Sequence, residues 1–276
     1  MPLPSHTLPP FEHTNSYLVQ NGPDAALIDA GSADPGVLSG LETTLQKLGV
    51  KRLQALLLTH THPDHSTGAG ALRERYGLRV YVHPLEPAVL TPTEPLADGA
   101  SFRVGDRVLT AQHTPGHSPG HLSFTLPDAQ VVFVGDLLAA QGSTWVGLPG
   151  GDVTDYLASL TRLEALVKDL AAGPGSSKPV FGPGHGPLIC DPAARLSAAR
   201  AHRLAREAEV MAALENPLTL LELGNRIYPD QPDALRFVTE GSLRAHLVKL
   251  VREGRVQKAA KPDDERYWQA RQGLAK

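Results

Sequence analysis

Apolar positions come in short runs with a period near two, interrupted by longer stretches with a period near 3.6. Residues 15–20 and 25–31 predict strands, and residues 34–49 predict a helix with Asp34 near its start. In residues 53–60 the run Leu56, Leu57, Leu58 leaves no polar face, so this strand is expected to be buried on both sides. Residues 79–82, 101–114 and 121–136 predict further strands, the last pair turning at Pro127 and Asp128. An amphipathic helix is predicted over 152–170 and a strand running into a glycine-rich loop over 178–186. Strands outnumber helices but alternate with them, which predicts an α/β fold of sheet layers covered by helices. Beyond this, residues 196–214 predict a long helix, and 219–229 with 239–258 predict helix, helix and short strand. Residues 171–179 are polar and rich in Gly and Pro but too short to link domains. We therefore expect a first domain at 1–194 and a second at 195–276, with no internal repeat.

Composition agrees with one large core and an appendage: 276 residues, 41% hydrophobic and 20% charged. No apolar run approaches the roughly 20 residues needed to cross a bilayer. The N-terminal stretch lacks the basic start and apolar run of a secretory signal, and Cys190 is the single cysteine, which excludes an internal disulfide. Both point to a cytoplasmic protein. The net charge of −3 is unevenly spread. Residues 1–194 hold 11 Lys+Arg against 18 Asp+Glu, a balance of −7, whereas residues 195–276 hold 15 against 11, a balance of +4. Such a tail fits either nucleic-acid binding or a solvated Arg-rich helix face.

The chemistry lies at strand ends. His60 and His62 are two apart, so on an extended backbone their rings share a side, and Asp64 and His65 follow where the chain turns into a helix. A packed core would have nothing to gain from burying four such groups unpaired. His113, His117 and His121, then Asp136, then His185 repeat the pattern, each after an apolar run and beside glycine. Imidazole and carboxylate without nearby cysteine suit zinc, with iron or manganese also compatible. His6, His83, His202 and His246 stand alone and are expected to be hydrogen-bonded surface residues.

The motifs "THTHPDH", "TPGHSPGH", "GD" at Gly135-Asp136 and "GPGHG" together resemble those of the metallo-β-lactamase superfamily. The resemblance spans most of residues 15–190 and implies an αββα sandwich with two metals at one edge. It implies that His60, His62 and His117 hold one metal, Asp64, His65 and His185 the other, and that Asp136 bridges them. The two metals would be zinc, with iron or manganese possible. Antibiotic-hydrolysing members most often carry cysteine where Asp136 stands, so β-lactamase activity is not expected. Only 48 residues separate Asp136 from His185, which leaves no room for the large insert of the processing nucleases. The helix, helix and strand ending in "LVKLVREGRV" resemble a winged helix, and its placement resembles the lactamase-β-like 2 family of endoribonucleases.

The implied enzyme is a metal-dependent hydrolase in which two metals generate hydroxide near neutral pH while Asp64 and Asp136 accept its proton. His113 and His121, beside His117, are candidates for supporting the ligands. Three substrate readings follow. The basic tail and winged helix favour, slightly, an endoribonuclease acting on single-stranded RNA. The acidic core favours a thioesterase or small-ester hydrolase of the glyoxalase II type. A nucleic-acid-binding regulator with a vestigial core is the third, although no ligand is missing. The winged helix could equally serve packing or a homodimer.

Overall fold

In the computed structural model, residues 1–5, 7, 11–88, 92–173, 178–261 and 264–270 are described. The chain runs β1 (Pro2–Pro4), β2 (His13–Asn15), β3 (Tyr17–Asn21), β4 (Asp24–Ile28), α1 (Pro35–Lys47), β5 (Arg52–Leu57), α2 (Pro63–Ser66), α3 (Ala69–Tyr76), β6 (Arg79–Val82) and β7 (Glu94–Pro95). It continues with β8 (Ser101–Val104), β9 (Arg107–His113), β10 (Leu122–Leu126), β11 (Val131–Gly135), α4 (Val153–Ala172), β12 (Val180–Pro183) and α5 (Pro192–Ala213). The C-terminal part holds β13 (Leu218–Thr219), α6 (Leu220–Ile227), α7 (Arg236–Arg252), β14 (Val256–Lys261) and β15 (Asp264–Gln269).

Two five-stranded sheets, ordered β3-β4-β5-β6-β7 and β12-β11-β10-β9-β8, face each other. The period of two decides which side chains meet. From the first sheet Ala26, Ile28, Ala55 and Leu57 pack against Leu109, Ala111, Leu122 and Phe124 of the second. The alternate set, Ala25, Leu27, Leu53, Leu56 and Leu58, lies under α1 and α3 through Leu41, Leu45 and Leu72. On the far side Val132, Val134 and Phe181 lie under α4 and α5 through Tyr156, Leu160 and Leu196. This is the αββα sandwich, and β5 is buried on both faces as its leucine run requires. Helix starts are chemically marked: Asp34, Asp152 and Asp191 each cap a helix by accepting from backbone N–H groups.

Helix α5 belongs to both parts of the molecule. Leu196 and Ala199 join the core beneath α4, whereas Val210 and Ala213 join Leu223, Leu243, Leu247, Val256 and Tyr267 in a separate C-terminal core. There β13-β15-β14 form a small sheet beside α6 and α7. Strand β15, the second strand of the wing, escapes the sequence reading because its alternation is hidden among charged residues. Among the described residues no helix is long and apolar enough to cross a membrane.

Helix α7 is docked on the lactamase-like core. Trp145 Nε1 donates to the Val238 carbonyl at 3.1 Å, Leu148 N donates to Gly241 O at 3.2 Å, and Arg252 pairs with Asp152 at 2.5 Å. Docking corrects one expectation: His246 is fully buried, and neither ring nitrogen has a hydrogen-bond partner. Burial, with Arg203 and Arg206 nearby, holds its imidazole down at about 3, so it is neutral. His83 is buried too, its ring stacked on His113 at 4.2 Å between centroids. His202 is exposed, and His6 lies outside the described residues.

Candidate metal centre

The chain leaves β5 at Leu57 and lays His60 and His62 across the sheet edge before α2 begins at Pro63. Helix α2 then presents Asp64 and His65, the loop between β9 and β10 brings His117, and β11 and β12 end at Asp136 and His185. All seven predicted donors meet. His62 Nδ1 lies 3.0 Å from His60 Nε2 and 2.8 Å from His117 Nε2, and the last two nitrogens are 3.2 Å apart. Beside this trio, His185 Nε2 lies 3.2 Å from Asp64 Oδ2 and 3.3 Å from Asp136 Oδ2, while His65 Nε2 lies 3.3 Å from Asp136 Oδ1. Asp136 Oδ2 is also 3.8 Å from His117 Nε2, so its carboxylate stands between the two groups.

Four of the five rings are oriented from behind. His65 Nδ1 lies 2.8 Å from Asp29 Oδ2, His117 Nδ1 2.7 Å from the Trp145 carbonyl, His185 Nδ1 2.8 Å from the His13 carbonyl, and His60 Nδ1 3.0 Å from Thr59 Oγ1. An acceptor behind one nitrogen fixes the tautomer and turns the other nitrogen's lone pair into the centre. Asp29 is itself held by Thr59 N and Thr59 Oγ1, both at 2.8 Å. Glu86 clamps the loops together: it accepts from Thr61 N at 2.9 Å, Thr61 Oγ1 at 2.8 Å, Ser118 Oγ at 2.5 Å and Gly120 N at 2.9 Å.

Asp29 and Glu86 escaped the sequence reading. Asp29 carries the same signal as Asp136, an acid at the end of an apolar strand beside glycine, and could have been found by it. Glu86 lies in a loop with no pattern around it. Neither His113 nor His121 hydrogen-bonds a ligand: His113 contacts the Pro119 carbonyl at 2.9 Å, and His121 places Nδ1 3.0 Å from Thr114 Oγ1 while its ring packs beside the ligands, 5.4 Å from His60 and 6.2 Å from His117 between centroids.

Two glycines make the approach possible. Gly116 has φ of +127°, and a Cβ there would stand 2.4 Å from the backbone of Tyr156. At Gly184 a Cβ would stand 2.2 Å from Asp136 Oδ1. Gly184→Ala is therefore expected to displace the Asp136 carboxylate and weaken metal binding by about tenfold or more, a loss of the order seen when ligand supports are removed. Titration of metal-free protein with zinc against a competing chelator measures it.

Electrostatics divides the centre in two. Burial and the neighbouring imidazoles hold His60 well below its usual range, and burial with His117 holds His62 down at about 4, so these nitrogens are unprotonated at neutral pH. In the other group burial opposes charge, but Asp136 and Asp64 push His185 up to about 10. Burial also opposes the Asp136 carboxylate, yet His65 and His185 hold it well below the usual range. His65 Nε2 and Asp136 Oδ1 are nevertheless buried without hydrogen-bond partners. Orphaned atoms of this kind are costly unless a cation joins them. His60, His62 and His117 form one set able to hold a metal ion, and Asp64, His65, Asp136 and His185 another. Five imidazoles and two carboxylates suit a divalent transition metal.

Residues 9–175 match the model of the metallo-beta-lactamase superfamily, and residues 219–268 match the beta-lactamase associated winged helix domain. The chain is 30% identical over 213 residues to the lactamase-like protein notP of an Aspergillus species, covering 76% of this chain and 60% of that one. It is 27% identical over 264 residues to a beta-lactamase-like protein 2 homolog of Caenorhabditis elegans, covering 91% and 84%. To an atrochrysone carboxyl ACP thioesterase of Claviceps purpurea it is 29% identical over 235 residues, covering 81% and 69%. The metallo-beta-lactamase family protein TTHA1429 of Thermus thermophilus superposes with a TM-score of 0.77 at 29% identity, covering 97% of each chain. TTHA1623, solved in a di-iron-bound form, superposes with a TM-score of 0.54 at 34% identity over 69% of this chain and 94% of that one. With its fold, its histidine and aspartate cluster and these matches in agreement, the chain belongs to the metallo-β-lactamase superfamily and is a metal-dependent hydrolase with a C-terminal winged helix.

Proposed function

We propose that the protein hydrolyses a thioester or activated ester of a small acyl substrate, using two zinc ions. His60, His62 and His117 would hold one ion and Asp64, His65 and His185 the other, with Asp136 shared. Ions held there supply Lewis acidity, bringing the pKa of water toward neutrality and polarising the acyl oxygen. One of the carboxylates Asp64 and Asp136 would take up the proton released as water adds to the acyl carbon and return it to the departing sulfur. The carbon–sulfur bond then breaks, leaving a carboxylic acid and a thiol. Trp145 and Phe11, which line the cleft with the ligands, exclude bulk water from the acyl group.

The observation that carries this reading is what the winged helix does. Together with the metal cluster it walls a cleft of about 900 Å³, a size suited to a small molecule, with Tyr228, Leu235 and Phe237 on its side. Helix α7, where a winged helix usually carries its groove-reading surface, is packed on the core, and all four of its Lys and Arg side chains face carboxylates: Arg236 Asp233, Arg244 Glu265, Lys249 Glu207, and Arg252 Asp152. Arg255 and Arg266 pair with Glu207 and Glu222. Most of these partners are acids of the tail itself, already counted in its +4 balance, so pairing leaves the net charge as it is but ties these basic side chains into the fold instead of leaving them free for phosphates, which favours a small substrate over RNA. Thioesterases among the relatives support the same choice.

The test is turnover by metal-loaded protein of short acyl thioesters, followed by thiol release, beside cleavage of labelled single-stranded RNA. We expect about two metal ions per chain, thiol release that stops in chelator, and intact RNA. RNA cleavage that falls steeply with salt, without thiol release, would instead establish the endoribonuclease reading.

A further inference from the structure

We propose that the winged-helix end of the cleft is an anion subsite, built by Arg206 and His202 of α5, for a carboxylate or phosphate that the substrate carries apart from its scissile bond. This rests on the reading of the cleft as a thioester site and adds the charge of what enters it.

The lining of the cleft is lopsided. Among the described residues its acids are Asp64 and Asp136, both in the metal cluster, whereas its opposite wall carries His202, Arg203 and Arg206. Ions bound to the two aspartates would offset their charge, leaving the cleft positive overall. Arg203 is 3% exposed, donates to the Thr144 carbonyl and lies 5.2 Å over the Tyr156 ring, with no carboxylate within ion-pair distance among the described residues. Arg195, two turns earlier on the same face, likewise donates to carbonyls, those of Ala139 at 2.7 Å and Gly142 at 2.5 Å. Carbonyls satisfy guanidinium hydrogen bonds but do not neutralise the charge, and a buried cation without a counter-ion is costly. The buried Arg203 and the half-buried Arg195 stand behind the loop that walls the cleft.

Arg206 brings a third charge to the cleft surface. Its guanidinium sits 4.4 Å over the Tyr228 ring and takes one carboxylate, Glu209 at 2.7 Å, whose side chain is 56% exposed. A pair so open to water is weak and easily exchanged, and a guanidinium offers five donors. The surplus registers on its neighbours, since burial and these arginines hold His202 below its usual range. An oxyanion reaching Arg206 would therefore gain bidentate hydrogen bonds and relieve the uncompensated field of Arg203.

Three thioesters decide it: butyryl-N-acetylcysteamine, which is neutral; glutaryl-N-acetylcysteamine, with a carboxylate on the acyl arm; and butyryl-coenzyme A, with phosphates on the thiol arm. We expect kcat/KM for one charged substrate to exceed the neutral one by about tenfold or more, mainly through KM, and which arm wins identifies the anion. Arg206→Ala should bring that ratio close to one, and Arg206→Lys should retain much of it. A ratio near one in the unaltered protein, or a preference that survives in Arg206→Ala, overturns the proposal. If no thioester is turned over, the functional reading fails by itself, and calorimetric titration of the metal-loaded protein with glutarate and butyrate still judges the subsite. Glutarate binding about tenfold tighter than butyrate, or coenzyme A, titrated likewise, about tenfold tighter than N-acetylcysteamine, with the margin lost in Arg206→Ala, supports it; equal affinities within both pairs overturn it.

Discussion

Asp136→Ala is expected to purify with one metal ion per chain or fewer and to lose about three orders of magnitude in kcat/KM, the equivalent of several kcal/mol of lost transition-state stabilisation. The size follows from its position. One carboxylate reaches His65 through Oδ1 at 3.3 Å and His185 through Oδ2 at 3.3 Å, and stands 3.8 Å from His117, so its removal affects both metal sets at once. It also removes the charge that raises His65 and His185 above their ordinary range. The fold should survive, because the loop after β11 is tied to the backbone of residue 136: Thr144 Oγ1 donates to the Asp136 carbonyl at 2.5 Å. Elemental analysis and circular dichroism on the same sample separate metal loss from unfolding. Two metal ions per chain and full activity in the variant would contradict the shared role.

Glu86→Gln is expected to lower the affinity of the three-histidine set for metal by about 10- to 100-fold, although Glu86 contacts no ligand side chain. Its two oxygens accept four hydrogen bonds, two from Thr61 between His60 and His62, one from Ser118 beside His117, and one from Gly120. Glutamine keeps the shape but replaces one acceptor oxygen with a donor, so donors on one loop lose their partner at about 1–3 kcal/mol each. The two ligand loops are then no longer held in register. The absorption spectrum of the cobalt-substituted protein distinguishes this from mere destabilisation. A positioning role shifts the ligand-field bands and the affinity, whereas a structural role lowers the melting temperature and leaves the spectrum of the folded protein unchanged.

Much of this was legible in the chain because the relevant physics is local. A period of two tells which side of a strand is buried, and a leucine run such as 56–58 tells that both are, so the layered α/β fold could be read without coordinates. Polar donors placed where an apolar run stops, beside glycine, marked His60, His62, Asp64, His65, His113, His117, His121, Asp136 and His185, since such groups have no reason to sit at a core edge unless they bind something, and the resemblance to the metallo-β-lactamase motifs chose seven of them. The tail's order of helix, helix and strand was legible for the same reason.

What tertiary structure decided concerns partners far apart in the chain. Asp29 lies 36 residues from the His65 it orients, and Glu86 lies 25 residues from Thr61 and 32 from Ser118, distances over which no periodicity carries information. The tail's charge looked like a nucleic-acid footprint because composition counts charges and ignores their neighbours. Folding sets Lys249 and Arg255 on Glu207 and Arg252 on Asp152, but leaves Arg195 and Arg203 on backbone carbonyls, so charge without a carboxylate partner collects beside the cleft. By itself the sequence determined which residues could bind metal and which faces had to be buried. Only the packing of α5 and α7 against the sandwich decided where the winged helix points, because Trp145, Leu148 and Asp152 lie about a hundred residues from the backbone and side chains they hold, and such contacts exist only once the chain has folded.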